Sequence, residues 1–127
     1  MGTSTPAWRA DVGVDIIEIG RIERVISEWQ DSFLKRIYTQ AELESHYNVS
    51  SLAARFAAKE AVMKALGTGA RGVNWSEIEI LTNVNGAPVI RLHGRALERS
   101  KEIGIAQFSV SMSHSRQYAV AFVIGHA

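Results

Sequence analysis

Three ionisable residues stand where charge is costly. Asp15 sits inside the apolar run V-G-V-D-I-I-E-I, and Glu60 and Lys64 interrupt S-L-A-A-R-F-A-A-K-E-A-V-M-K-A-L, which is mostly small and apolar. A buried carboxylate or ammonium needs a partner. Two readings of Glu60 and Lys64 are open. As i, i+4 neighbours on a helix they can pair with each other, for roughly 0.2–0.5 kcal/mol. Alternatively they form a site in which Glu60 holds a metal ion and Lys64 a phosphate. The stretch by itself favours the internal pair. Asp15 likewise has an ordinary reading, bonded to backbone amides or to an arginine.

The elements that must position these groups can be read from spacing. Leu52 to Leu66 contains no Gly or Pro and is rich in helix formers, so it reads as one long helix, capped by Ser51 and ended by Gly67. Phe56, Glu60 and Lys64 fall on one face of it. The following G-T-G-A-R-G spells a dinucleotide-type glycine pattern, but it closes a helix instead of opening one after a strand, and no P-loop Lys-Ser/Thr follows. Such a loop can still turn amides toward a phosphate. In the first strand Val12, Val14 and Ile16 alternate with Gly13, Asp15 and Ile17.

Between these stretches, R-I-E-R-V-I-S-E-W-Q predicts a short amphipathic helix with Ile22, Val25, Ile26 and Trp29 inward, and a second helical piece follows near Phe33–Tyr38. Thr39 with Glu42 matches a capping box, and residues 45–50 read as irregular. Beyond the long helix, Trp75–Thr82 and P-V-I-R-L predict a hairpin bent at Asn85-Gly86. A short helix over Arg95–Ile103 and two strands, F-S-V-S-M-S and Y-A-V-A-F-V-I, complete the chain, with His114 where those strands turn. This order predicts an α+β fold in which a mainly antiparallel sheet packs against a long central helix.

Composition narrows the class. A chain of 127 residues has room for one core, so residues 10–127 are expected as one domain and residues 1–9 as a loose tail. A net charge of +1 gives no global attraction to nucleic acid or membrane, and no run approaches the ~20 apolar residues of a membrane span. The absence of cysteine excludes disulfides, a thiolate nucleophile and a Cys-type zinc site. M-G-T-S-T-P-A-W-R lacks the apolar run of a secretion signal, so a cytoplasmic location is expected.

With these pieces placed, the sequence resembles the holo-acyl-carrier-protein synthases, the small 4′-phosphopantetheinyl transferases. G-V-D-I-I-E-I, R-F-A-A-K-E-A-V-M-K-A-L-G-T-G and S-M-S-H-S-R-Q-Y-A-V-A carry the resemblance, which spans roughly residues 11–124. It implies transfer of 4′-phosphopantetheine from coenzyme A to a serine of apo acyl carrier protein in fatty-acid biosynthesis, releasing adenosine 3′,5′-bisphosphate. By resemblance Asp15 and Glu60 match two magnesium ligands and Lys64 the lysine near the phosphates. Gly67, Thr68 and Gly69 match the loop beside the nucleotide, Arg55 and His114 match positions near coenzyme A, and Arg21 and Arg24 fall on the helix that meets the carrier protein. A homotrimer with sites between subunits is implied as well. The residues suit the chemistry: magnesium takes one or two carboxylates plus substrate phosphates and waters. The carrier serine is the nucleophile, so the chain needs none. The general base is a metal-bound water in preference to Glu60 or a nearby carboxylate. Other readings are a transferase for a polyketide or peptide carrier domain, a non-catalytic coenzyme A- or nucleotide-binding module, and an ordinary domain with core ion pairs.

Overall fold

The computed structural model describes residues 10–67 and 71–127. The expected tail and the loop residues Thr68 and Gly69 lie outside them. Chain order runs β1 (Ala10–Glu18), α1 (Ile19–Ile37), α2 (Gln40–Glu44), α3 (Val49–Leu66), β2 (Ile78–Thr82), β3 (Pro88–Leu92), α4 (Gly94–Glu102), β4 (Gln107–His114) and β5 (Tyr118–His126). All strand pairs are antiparallel, but they form two sheets. One has the order β1-β5-β4 and the other is the β2-β3 hairpin. The α+β expectation holds, with the sheet divided.

Helix α3 is the centre of the molecule. Its small residues explain why both sheets can approach it: Ala53, Ala57 and Ala61 recur every four residues and are fully buried. Ile17, Ala119 and Ala121 of the larger sheet pack against its first half, and Val123 and Phe108 against its second. Ile80 and Ile78 of the hairpin close the other side. The helix begins one turn earlier than Ser51. Asn48 is the cap, and its side-chain oxygen accepts the Ser51 amide at 2.9 Å. Gly67 ends it with φ at 74°, a conformation that suits glycine.

Several other sequence expectations are adjusted. The two helical pieces at the start are one element, α1, bent at Gln30, whose φ of 45° and ψ of −125° break the helix. Trp29, expected inward, is 62% exposed at that bend. Trp75–Glu77 is a 3-10 turn preceding β2, so the strand starts later than its sequence suggested. The Thr39–Glu42 capping box and the bend at Asn85-Gly86 are present as expected.

Candidate active-site cleft

Asp15, Glu60 and Lys64 meet at one cleft of about 430 Å³, between β1, the start of α1 and the middle of α3. β1 turns Asp15 toward α3, and its side chain is 18% exposed. Lys64 reaches across to it: Nζ lies 2.9 Å from Asp15 Oδ1 and donates to the Val14 carbonyl at 3.1 Å. The internal Glu60–Lys64 pair is therefore not what the fold builds, because the lysine is paired with Asp15. Phe56 and Phe33 form the apolar wall, and Arg21 closes the rim from α1.

Glu60 is left facing a second carboxylate. Burial raises its pKa above the usual carboxylate range, and the negative charge of Asp15 adds to this, while Lys64 and Arg21 pull the other way. Two acidic groups held in one half-buried cleft suit a divalent cation. Among the described residues no cluster of three or more acidic, histidine or cysteine ligands exists. The donor set therefore fits an ion that draws its remaining oxygens from a substrate and from water, which is the habit of magnesium.

Arg55 belongs to a different place. It is 5% exposed, its Nε donates to the Ile80 carbonyl at 3.1 Å and its Nη2 to Thr82 Oγ1 at 2.9 Å. Its guanidinium lies 3.5 Å from the centre of the Tyr47 ring. It lines a second cleft of about 340 Å³ with Thr82, Gly86, Pro88, Ser111 and Met112. Nine residues of helix separate Arg55 from Lys64, or roughly 13 Å along the axis. His114 is exposed at the end of β4, two residues beyond Met112. Arg24 is exposed on α1 outside the Asp15 cleft, and Gly67 caps the end of α3, three residues beyond Lys64. One chain thus brings together Asp15, Glu60, Lys64 and Arg21, and keeps Arg55 apart from them.

Sequence reading gave no partner to Lys59, which is fully buried. Its Nζ bonds Glu42 Oε1 at 2.8 Å, the Trp75 carbonyl at 3.2 Å and the Ile78 carbonyl. It also missed Thr82, Gly86 and Ser111, which ring the second cleft. The alternating serines of β4 were the visible signal for the last of these.

A central helix crossing a three-stranded antiparallel sheet is a fold shared with solved structures. A model of the 4′-phosphopantetheinyl transferase superfamily matches residues 11–123, and the chain belongs to that family. It is 48% identical over 121 residues to the holo-[acyl-carrier-protein] synthase of Herpetosiphon aurantiacus, covering 89% of this chain and 95% of that protein. It is 50% identical over 113 residues to that of Dehalococcoides mccartyi, covering 88% and 94%. Among solved structures, the Helicobacter pylori holo-[acyl-carrier-protein] synthase in complex with coenzyme A superposes with a TM-score of 0.80 at 33% identity, covering 90% of this chain and 98% of that one. The Neisseria meningitidis enzyme gives 0.83 at 36% identity, covering 92% and 98%.

Proposed function

We propose that the chain transfers 4′-phosphopantetheine from coenzyme A to a serine of apo acyl carrier protein, with magnesium, in cytoplasmic fatty-acid biosynthesis. The observation that carries this is the meeting of Asp15, Glu60 and Lys64 in one cleft. The serine oxygen bonds to the phosphorus that carries pantetheine and its proton passes to water, the bond to the bridging pyrophosphate oxygen breaks, and adenosine 3′,5′-bisphosphate leaves. Asp15 and Glu60 would hold the magnesium ion, which when bound supplies charge neutralisation to the phosphates. Lys64 offers N–H donors one helical turn from Glu60, beside the same phosphates. Gly67, Thr68 and Gly69 follow directly and are assigned to the nucleotide side. Arg55 and His114 are assigned to coenzyme A, and Arg21 and Arg24 to the acidic carrier protein. No helix among the described residues is long and apolar enough to cross a membrane.

The functional unit is proposed to be a homotrimer with sites between subunits. Two observations support it. The Asp15 cleft and the Arg55 cleft are distinct within one chain, as a site completed by a second copy would require. The outer face of the larger sheet is apolar where water would favour polar groups: Val12 faces Ile124, Val14 faces Phe122 and Ile16 faces Val120, all exposed.

Intact-mass spectrometry of apo acyl carrier protein, incubated with this chain, coenzyme A and magnesium, tests the reading. A gain of one phosphopantetheine that is lost with chelator is expected. No gain, from folded protein that binds coenzyme A, would overturn it and leave a binding module or another carrier domain.

A further inference from the structure

Helix α3 and strand β1 touch backbone to backbone at one point. A side chain added at Gly13 would place its Cβ 1.9 Å from the Ala61 carbonyl oxygen, 2.8 Å from its carbon and 3.3 Å from its Cα. These are main-chain atoms of a fully buried residue, so no rotamer change can relieve the contact. To reach ordinary van der Waals distance, strand and helix must part by roughly 1.5 Å. Gly13 lies inside a regular strand and is not among the residues with positive φ. The glycine is therefore required for space and not for backbone freedom.

The contact lies inside the frame of the cleft. Gly13 is two residues before Asp15 on the same side of β1, and Ala61 directly follows Glu60. Lys64, three residues after Ala61, spans the same gap with its bonds to Asp15 Oδ1 and the Val14 carbonyl. The separation of strand and helix here is thus the separation of one carboxylate from the other. We propose that Gly13 is a positioning residue that sets the distance between Asp15 and Glu60, and so decides whether one small divalent ion can be held by both. This rests on the magnesium reading given above.

A spacing role makes a prediction that a packing role does not. Gly13→Ala should weaken metal binding at least tenfold, measured by calorimetric titration of Mg2+ into the protein saturated with coenzyme A, while coenzyme A affinity in chelator stays within twofold. Adding Asp15→Glu to Gly13→Ala lengthens the carboxylate arm by one methylene, roughly the opened distance, and should restore most of the loss. Gly125→Ala is the control. Its Cβ would meet Phe108 and Ile105 side-chain atoms at 2.8 and 2.9 Å, a milder clash with side chains in the core beyond the cleft. It should lower the melting temperature without changing metal affinity. Unchanged metal affinity in Gly13→Ala, or a loss that Asp15→Glu fails to repair, overturns the proposal.

If Gly13→Ala does not fold, Asp15→Glu alone decides. With strand and helix still in contact, the longer arm should overshoot and lose at least tenfold in metal affinity, and retained affinity overturns the proposal. An unaltered protein that takes up no Mg2+ in the presence of coenzyme A would instead sink the magnesium reading, and the spacing proposal with it.

Discussion

Lys59 Nζ and Glu42 Oε1 lie 2.8 Å apart with both side chains fully excluded from solvent. The pair ties the back of α3 to α2, and Glu42 in turn accepts the Thr39 amide at 2.9 Å and the Ile80 amide at 3.1 Å. Burial lowers the pKa of the Lys59 ammonium, and the Glu42 carboxylate opposes that shift. Removing one partner strands the other. Lys59→Met should cost about 3–5 kcal/mol by urea unfolding. Lys59→Met/Glu42→Gln removes the stranded charge and keeps an acceptor for one of the two amides, so it should cost less than the single variant. A double variant at least as unstable as Lys59→Met would show that the two residues are not coupled.

Glu60 should reveal itself through the sign of its pH dependence. Its carboxyl titrates above the usual range because of burial and the charge of Asp15. Between the ordinary and the raised value the folded chain holds a proton that the unfolded chain has lost, so stability falls as pH rises through that window. The deficit is fully present above the raised pKa and vanishes below the ordinary one. Glu60→Gln removes it: the variant should melt higher than the unaltered protein at neutral pH, with the two curves converging near about pH 4. Transfer should fall at least about a hundredfold, the scale of several kcal/mol of charge stabilisation. A Glu60→Gln protein less stable than its parent at pH 7 would place the carboxylate in a structural role.

The pieces of the site were legible in the sequence because each broke a local rule. Asp15 is an acid in an apolar strand, and Glu60 and Lys64 are charges on a helix otherwise small and apolar all round. Elements marked by local chemistry were legible too, such as the Thr39–Glu42 capping box and the Asn85-Gly86 bend. What escaped depends on distant partners. The Lys64–Asp15 pair joins residues 49 positions apart, and nothing local distinguishes it from the Glu60–Lys64 pair that i, i+4 spacing suggests. The Arg55 cleft needs the β2-β3 hairpin laid beside β4, which no period announces. Which face of β1 is buried was also undetermined. Its Val and Ile side faces outward, while the side with Gly13 and Asp15 meets α3.

Arg21 and Arg24 share a helix but not a position. Arg21 lines the cleft and lowers the pKa of Glu60, whereas Arg24 is exposed outside it. Arg24→Glu should raise KM for acyl carrier protein several-fold, leave KM for coenzyme A unchanged and flatten the salt dependence of kcat/KM. Arg21→Glu should do the same and also lower kcat, because it adds a third acid beside Asp15 and Glu60. Equal effects of the two reversals on kcat would mean that Arg21 acts only on the carrier surface.

The exposed face of β1 and β5 gives the last prediction. Val14 and Phe122 are 53% and 43% exposed and directly opposed across the strands, at the centre of an apolar patch edged by the serines of β4. In a closed ring of three, each interface joins two different surfaces, so each site would take its Asp15 cleft from one chain and its Arg55 cleft from the next. Phe122→Lys should shift sedimentation from trimer to monomer and abolish transfer without unfolding the chain. Mixing is the sharper test. Arg55→Ala and Glu60→Gln proteins should each be inactive alone. After mixing and reassembly in equal amounts, about a quarter of shared sites pair an intact Glu60 with an intact Arg55. Recovery of roughly a quarter of the unaltered activity would establish sites between subunits. No recovery, with mixed trimers present, would place Arg55 and Glu60 of the same chain at one site and leave the outer face without a catalytic purpose.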